Sequence, residues 1–485
     1  MTHSAVLVHR GVCAALSHAS ISVVVVIRNA LISVACAWFI MWWGSLGGAF
    51  LRGRSVSQQS YDELYLWTLL WLQFFFCAAG TVMQATLLLR THFVDRPGRP
   101  TTLRICCWRI LRHSFPVYAL VVIAVYGTTV GLSRVINQRS VRALKIEFYV
   151  GGSLTFAYWV CLELVGRYVF KRETVEGRAR VAQQQQQQQQ VMVGTDSTTV
   201  IVPVVAAVAV SPAASLSRWK GWRSVLWKRT PVAFSVIAAA IYIQVLSSQR
   251  IHNETELVAL MAGNMLLKFV IQHVTKRAAL RTGVQNIRTM LLTVSFPTVL
   301  IDTQLRVLLQ RVSSTTLTIK GTVLMAAIEI ALRLHKALAM RRRLRAIANR
   351  TEGRAKTDST SDVVVGLRDK LLAYRSAELF ADMAAEYIAI GCAVGILLCY
   401  WEHPKYRLGE VEGRVTSHWN RQQTVTLLAQ GAMEIAVDVL SSTFEVTQGI
   451  TFHAVRRQGA YVVLLFVATA VANTTVTSVV YMRVE

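Results

Sequence analysis

The run "AYVVLLFVATAVANTTVTSVVYM" at residues 460–482 holds no charged side chain, and it is one of many such runs. A bilayer's hydrocarbon core, about 30 Å thick, is crossed by roughly 20 apolar helical residues. Inside it the backbone must satisfy its own polar groups, which leaves helices and closed barrels as the spanning structures. Windows of this length recur along the 485 residues. They are continuous rather than alternating, so the chain reads as an all-α polytopic transmembrane bundle. Composition agrees: 53% of residues are hydrophobic and 16% charged, against about 25% charged in ordinary soluble domains.

The net charge of +26 does not point to nucleic acid. The basic residues sit in short loops beside apolar runs, as the positive-inside rule requires, and no RNP, zinc-finger or helix-turn-helix pattern is present. There is no Walker A, HExxH, GxSxG or kinase signature, and the eleven histidines are scattered. Neither an ATP-driven pump nor a metalloprotease is expected, and no enzyme, metal or cofactor. The eight cysteines have neither disulfide-framework nor zinc spacing. Cys106 and Cys107, adjacent in a basic stretch, are candidate palmitoylation sites against the plainer reading of free thiols.

Hydropathy places spans at roughly 29–50, 64–88, 115–133, 148–170, 231–247, 257–274, 289–309, 318–340, 383–401, 424–446 and 460–482. That is eleven, with nine to eleven as the range, because the seventh, eighth and tenth carry charges. The N-terminal stretch has no clean signal-peptide core and reads as a cytosolic helix leading into the first span. Residues 1–170 then form a four-span unit and 171–230 a disordered cytosolic linker with the glutamine tract 183–190. Residues 231–345 form a second membrane unit, 346–382 a cytosolic polar segment and 383–485 a C-terminal membrane unit. The N-terminus is placed in the cytosol of a eukaryotic cell, in its plasma membrane or endomembranes. The sequon at Asn253, a candidate N-glycosylation site, then falls outside. The basic loop Arg134, Arg139, Arg142 and Lys145 stands against this topology.

"HSFPVYALVV" (113–122) and "VSFPTVLIDT" (294–303) are candidate markers of a parallel repeat. It would consist of two four-helix units with three helices added.

Charges inside the spans are the candidate functional residues. Glu163 and Arg167, Asp302 and Arg306, and Glu329 and Arg333 each stand four apart, on one helix face. Insertion scales assign about 2.5–3.5 kcal/mol to a charge at a span's centre. Two readings offset that cost. Each pair neutralises itself, or the pairs line an ion or proton path. Glu378, Asp382 and Glu386 form an acidic stripe, as do Glu434 and Asp438, and Lys268 is a lone base suited to one of these carboxylates. Arg341, Arg342, Arg343 and Arg345 follow the eighth span and are candidate contacts for anionic headgroups at the cytosolic face.

"EYIAIGCAVGILLCYWEHPKY" (386–406), "QGAMEIAVDVL" (430–440) and "VRRQGAYVVLLF" (455–466) resemble segments of multi-pass membrane proteins that form large paralogous sets in oomycetes. The matching residues are Glu386, Tyr387, Pro404 and Tyr406, and the polar "WEHPKY" departs from that family's more apolar turn. The resemblance implies a membrane fold and carries no activity. The expected function is movement of an ion or small solute. The alternative is a non-transporting scaffold or sensor acting through its cytosolic linkers. Carboxylates converging on a wet cavity would favour the first, and carboxylates sealed against arginines the second.

Overall fold

A computed structural model describes residues 2–47, 53, 55–96, 98–99, 101–135, 144–193, 230, 237–239, 241–247, 254–281, 287–311, 315–352, 358–406, 408, 410–411, 414–415 and 421–482. The fold is all-α. Its helices are α1 (Thr2–Ser45), α2 (Tyr61–Leu88), α3 (Leu103–Val135), α4 (Ile146–Glu173), α5 (Val175–Val193) and α6 (Glu254–Arg281). They continue with α7 (Ile287–Arg311), α8 (Thr315–Glu352), α9 (Asp358–Tyr400), α10 (Arg421–Thr447), the single turn α11 (His453–Arg456) and α12 (Gly459–Tyr481). A two-residue ladder pairs Glu410–Val411 with Arg414–Val415.

Eight stretches among the described residues are long and apolar enough to cross a membrane. They are Cys13–Ser45 of α1, α2, Leu103–Leu132 of α3, α4, Met290–Gln310 of α7, Leu371–Tyr400 of α9, Val425–Thr447 of α10, and α12. This is a multi-pass integral membrane protein. Three of the eleven expected spans do not reach that standard. The fifth is described only over the apolar helix Ile237–Ser247, and the apolar part of α6 is the shorter Val258–Val274. α8 is too polar, with Lys320, Glu329, Arg333 and Lys336 in the expected span.

Helix ends differ from the hydropathy limits because charge alone does not stop a helix. Arg, Lys, Gln and Glu are good helix formers, and breaks need Pro, Gly or a cap. α1 is one 44-residue helix. α3 starts soon after "RPGRP" (96–100), so Arg104, Arg109, Arg112 and both neighbouring cysteines lie on a helix rather than in a loop, and Cys106 is fully buried. α5 takes in the glutamine tract within the expected linker 171–230; 194–229 lie outside the described residues. α9 begins at Asp358, so most of the expected polar segment 346–382 is helix continuous with α8 or α9, with 353–357 outside the described residues.

The chain divides into two compact units, residues 1–72 with 231–485, and residues 73–230. The expected four-span leading unit is therefore split. In the first unit α1 packs on α9, α10 and α12. The α1–α9 contact runs over Gly391 and Gly395, four apart on one face. A Cβ on Gly391 would sit 2.5 Å from the Val34 side chain, and one on Gly395 would strike the Trp38 indole. The same indole donates to the Gly391 carbonyl at 2.8 Å. Small residues at this spacing let membrane helices approach closely.

α7 is the centre of that unit. It packs on α9, α6 and α12, and 89% of its apolar window is buried. Polar side chains fix it to α12, with Asn473 donating to Thr303 at 2.7 Å and Gln304 to the Tyr481 hydroxyl at 2.6 Å. In the second unit α3 packs on α4. Cys77, Ile110, Tyr158 and Leu162 lie in the shared core. The expected repeat is not matched in packing. α3, 11% buried over its window, lies on the helix that follows it, whereas α7 makes its main contacts with α9, α6 and α12.

Candidate functional site

Five helices of the first unit each carry polar side chains at four-residue intervals, so each presents a polar stripe on one face. α6 has Lys268 and Gln272, and α7 has Thr298, Asp302 and Arg306. α8 has Glu329 and Arg333, α9 has Glu378, Asp382 and Glu386, and α10 has Gln430, Glu434 and Asp438. The stripes meet in one buried network.

Arg333 is the hub. It pairs with Glu329 one turn earlier at 2.5 Å, with Glu386 of α9 at 2.9 Å and with Asp438 of α10. It also donates to Ser441 at 2.9 Å. Lys268 bridges Asp302 at 2.8 Å and Glu386 at 3.4 Å. Arg306 pairs with Glu434 at 2.6 Å and donates to Gln430 at 3.2 Å. On the α8–α9 side Lys336 reaches Glu378 at 3.6 Å and Asp382 at 3.8 Å. Gln272 donates to Asp382 at 2.8 Å and to Thr298 at 3.0 Å. Arg375 closes this end, pairing with Glu378 at 3.3 Å and with Glu445. Asp438 is 0% exposed, Glu386 2% and Arg306 3%.

The spacing rule divides here. Glu329 and Arg333 pair within their helix and also across helices. Asp302 and Arg306 do not pair with each other, because each finds an opposite charge on a neighbouring helix. Glu163 and Arg167 do pair, at 2.6 Å, with the Arg167 side chain 53% exposed. That pair belongs to the second unit and is no part of the network. Arg341, Arg342 and Arg345 are exposed on the last turns of α8. Arg343 lies on the same helix, its side chain outside what is described, and Asn253 falls outside the described residues. Arg375, Gln272, Thr298 and Gln430 were missed as site residues. The readable signal was their position one turn from a charge already singled out.

The network is unbalanced. Among the described residues, eight carboxyl groups (Asp302, Glu329, Glu378, Asp382, Glu386, Glu434, Asp438, Glu445) meet five basic groups (Lys268, Arg306, Arg333, Lys336, Arg375). Glu329, Glu386 and Glu434 come from three helices, and each brings an oxygen within 4.8 Å of the others. Two unit charges at that separation repel by about 3.5 kcal/mol at an effective dielectric of about 20. Asp302 Oδ1 and Glu434 Oε2 are buried with no hydrogen-bond partner among the described residues. Excess carboxylates crowded in this way take up protons or gather round a small cation.

No described protein family, no curated protein and no solved structure matches the chain.

Proposed function

We propose that this membrane protein moves protons or a small dehydrated cation through the polar stripes of α6 to α10. The carrying observation is the surplus, among the described residues, of three carboxyl groups over basic groups in a buried network. Protonating a carboxyl of ordinary pKa at neutral pH costs about 3.7 kcal/mol. Leaving it ionised and unpaired in a low-dielectric interior costs several kcal/mol or more. A surplus carboxyl is therefore readily loaded with a proton, and it releases that proton when its arginine or lysine moves closer. The proposed setting is a eukaryotic plasma membrane or endomembrane, with the N-terminus in the cytosol.

The test is flux in liposomes under an imposed pH gradient, followed with a pH-sensitive dye, for the native chain and Glu386→Gln. Native flux well above that of empty vesicles, lost in a variant that still elutes as a folded species, is the expected result. Carboxylates sealed against arginines are the arrangement expected of a scaffold or sensor, and that burial supports a second reading. All five basic groups are engaged and the core carboxylates are sealed, as a scaffold or sensor held rigid by its charges would require. Absence of proton and alkali-cation flux would favour that reading.

A further inference from the structure

The second unit gathers positive charge at one end, where the α2–α3 turn meets the α4–α5 junction. The backbone ties these two segments together, Val94 donating to the Glu173 carbonyl and Val175 to the His92 carbonyl, both at 2.9 Å. Residues 90–112 and 171–180 together hold ten arginine and lysine side chains against three carboxylates, and all three carboxylates are engaged. Asp95 pairs with Arg109, and Glu173 with Arg109 at 2.8 Å and with His113 at 2.9 Å. Glu176 accepts from the His92 backbone N–H at 3.0 Å. Arg99, Arg104, Arg112 and Lys171 are among the basic groups left exposed.

Beside this charge stands an apolar surface. Trp108 is 63% exposed and Phe115 56%, both on α3, whose window is long and apolar enough to span. Exposed indole at the end of such a helix sits at headgroup level. The guanidinium and ammonium groups one or two turns away are then at the depth of lipid phosphates. We infer that this end of the second unit is a binding site for anionic phospholipid headgroups, separate from the arginine run at 341–345. A plain topology anchor requires net positive charge on one side of the membrane. It does not require two loops stapled together by backbone bonds, with the local acids engaged by Arg109, His113 and a backbone amide. That arrangement leaves the outer basic groups free for phosphate.

The full chain, reconstituted in phosphatidylcholine bilayers, is probed by electron paramagnetic resonance with spin-labelled phosphatidylserine and, separately, spin-labelled phosphatidylcholine. The native protein should immobilise the serine lipid several-fold more selectively, with the preference shrinking as salt rises. Combined Arg99→Gln, Arg104→Gln, Arg112→Gln and Lys171→Gln should bring the selectivity down to near one. Arginine-to-lysine changes at the three arginines should preserve it. Size-exclusion elution and far-ultraviolet circular dichroism check that each variant is folded. Selectivity that survives the glutamine variant would overturn the assignment. So would selectivity removed entirely by Arg341→Gln, Arg342→Gln and Arg345→Gln. Loss of the preference to millimolar inorganic phosphate would assign a soluble anion instead and overturn the lipid.

Discussion

At the scale of single residues, the environment decides what a side chain does. His403 shows this outside the spans, in the turn after α9. Its Nδ1 accepts from the Lys405 backbone N–H at 3.2 Å, so its Nε2 is the protonated nitrogen that faces the Ser45 carbonyl at 3.2 Å. The ring packs edge-on against Tyr406, with centroids 4.8 Å apart. Burial pushes this imidazole below its ordinary value and the Lys405 charge adds to the depression, against the Ser45 carbonyl, which favours the charged ring. The unfolded chain therefore binds more protons than the folded one between the depressed folded pKa and the free value near 6.5. Stability from this group is full above that free value and is lost as pH falls through the folded pKa. The melting temperature in detergent should fall as pH drops from about 7 to about 5, and His403→Gln should flatten that slope. An unchanged slope in the variant would place the pH response elsewhere. The same dependence on surroundings limits reading at this scale. Glu163/Arg167 and Asp302/Arg306 have identical spacing, yet one is a half-exposed local pair and the other two strands of a cross-helix net. Nothing within four residues distinguishes them, because the deciding partners, Lys268 and Glu434, are 34 and 128 residues distant.

At the scale of the element, apolar runs were legible and helix ends were not. Hydropathy marks where a helix meets hydrocarbon, while backbone hydrogen bonding continues until a breaker intervenes. Hence α1 and α9 run far past their apolar cores. The α1–α9 crossing was written in the sequence as "GCAVG" (391–395), but its partner helix, more than 350 residues earlier, was not. Gly391→Val should force α1 and α9 apart, since the new side chain meets Val34. Overpacking of this kind costs about 1–3 kcal/mol. Thermal unfolding in detergent should shift downward by several degrees while helical content before the transition stays the same. A control substitution at Gly431, where a Cβ meets nothing within 4 Å, should leave the midpoint in place. Equal effects at both glycines would deny the close crossing its role.

At the scale of the molecule, the surplus of carboxyl groups makes acids and bases unequal. A network with charges in balance loses similarly from either kind of deletion. Here the basic groups are in short supply, and each serves more than one polar partner. Removing Arg333 strands Glu329 and Asp438 and leaves Glu386 to Lys268 alone. Arg333→Met should cost about 3–5 kcal/mol, the usual penalty for breaking a buried ion pair. It should abolish folding where the reserve is only 5–15 kcal/mol and a second base is also removed. Glu→Gln at Glu329 or Glu386, whose shared partner Arg333 keeps other carboxylates, instead replaces a crowded carboxyl by its neutral, nearly isosteric amide, and should change stability by less than about 1 kcal/mol. The comparison is made by chemical or thermal unfolding of purified variants at neutral pH. The expected asymmetry means that protons balance the surplus, and it supplies groups poised to exchange them. Acid variants as damaging as Arg333→Met would mean that every carboxylate is ionised. The missing positive charge would then have to be a cation held among Glu329, Glu386 and Glu434, and stability would rise with the concentration of that cation.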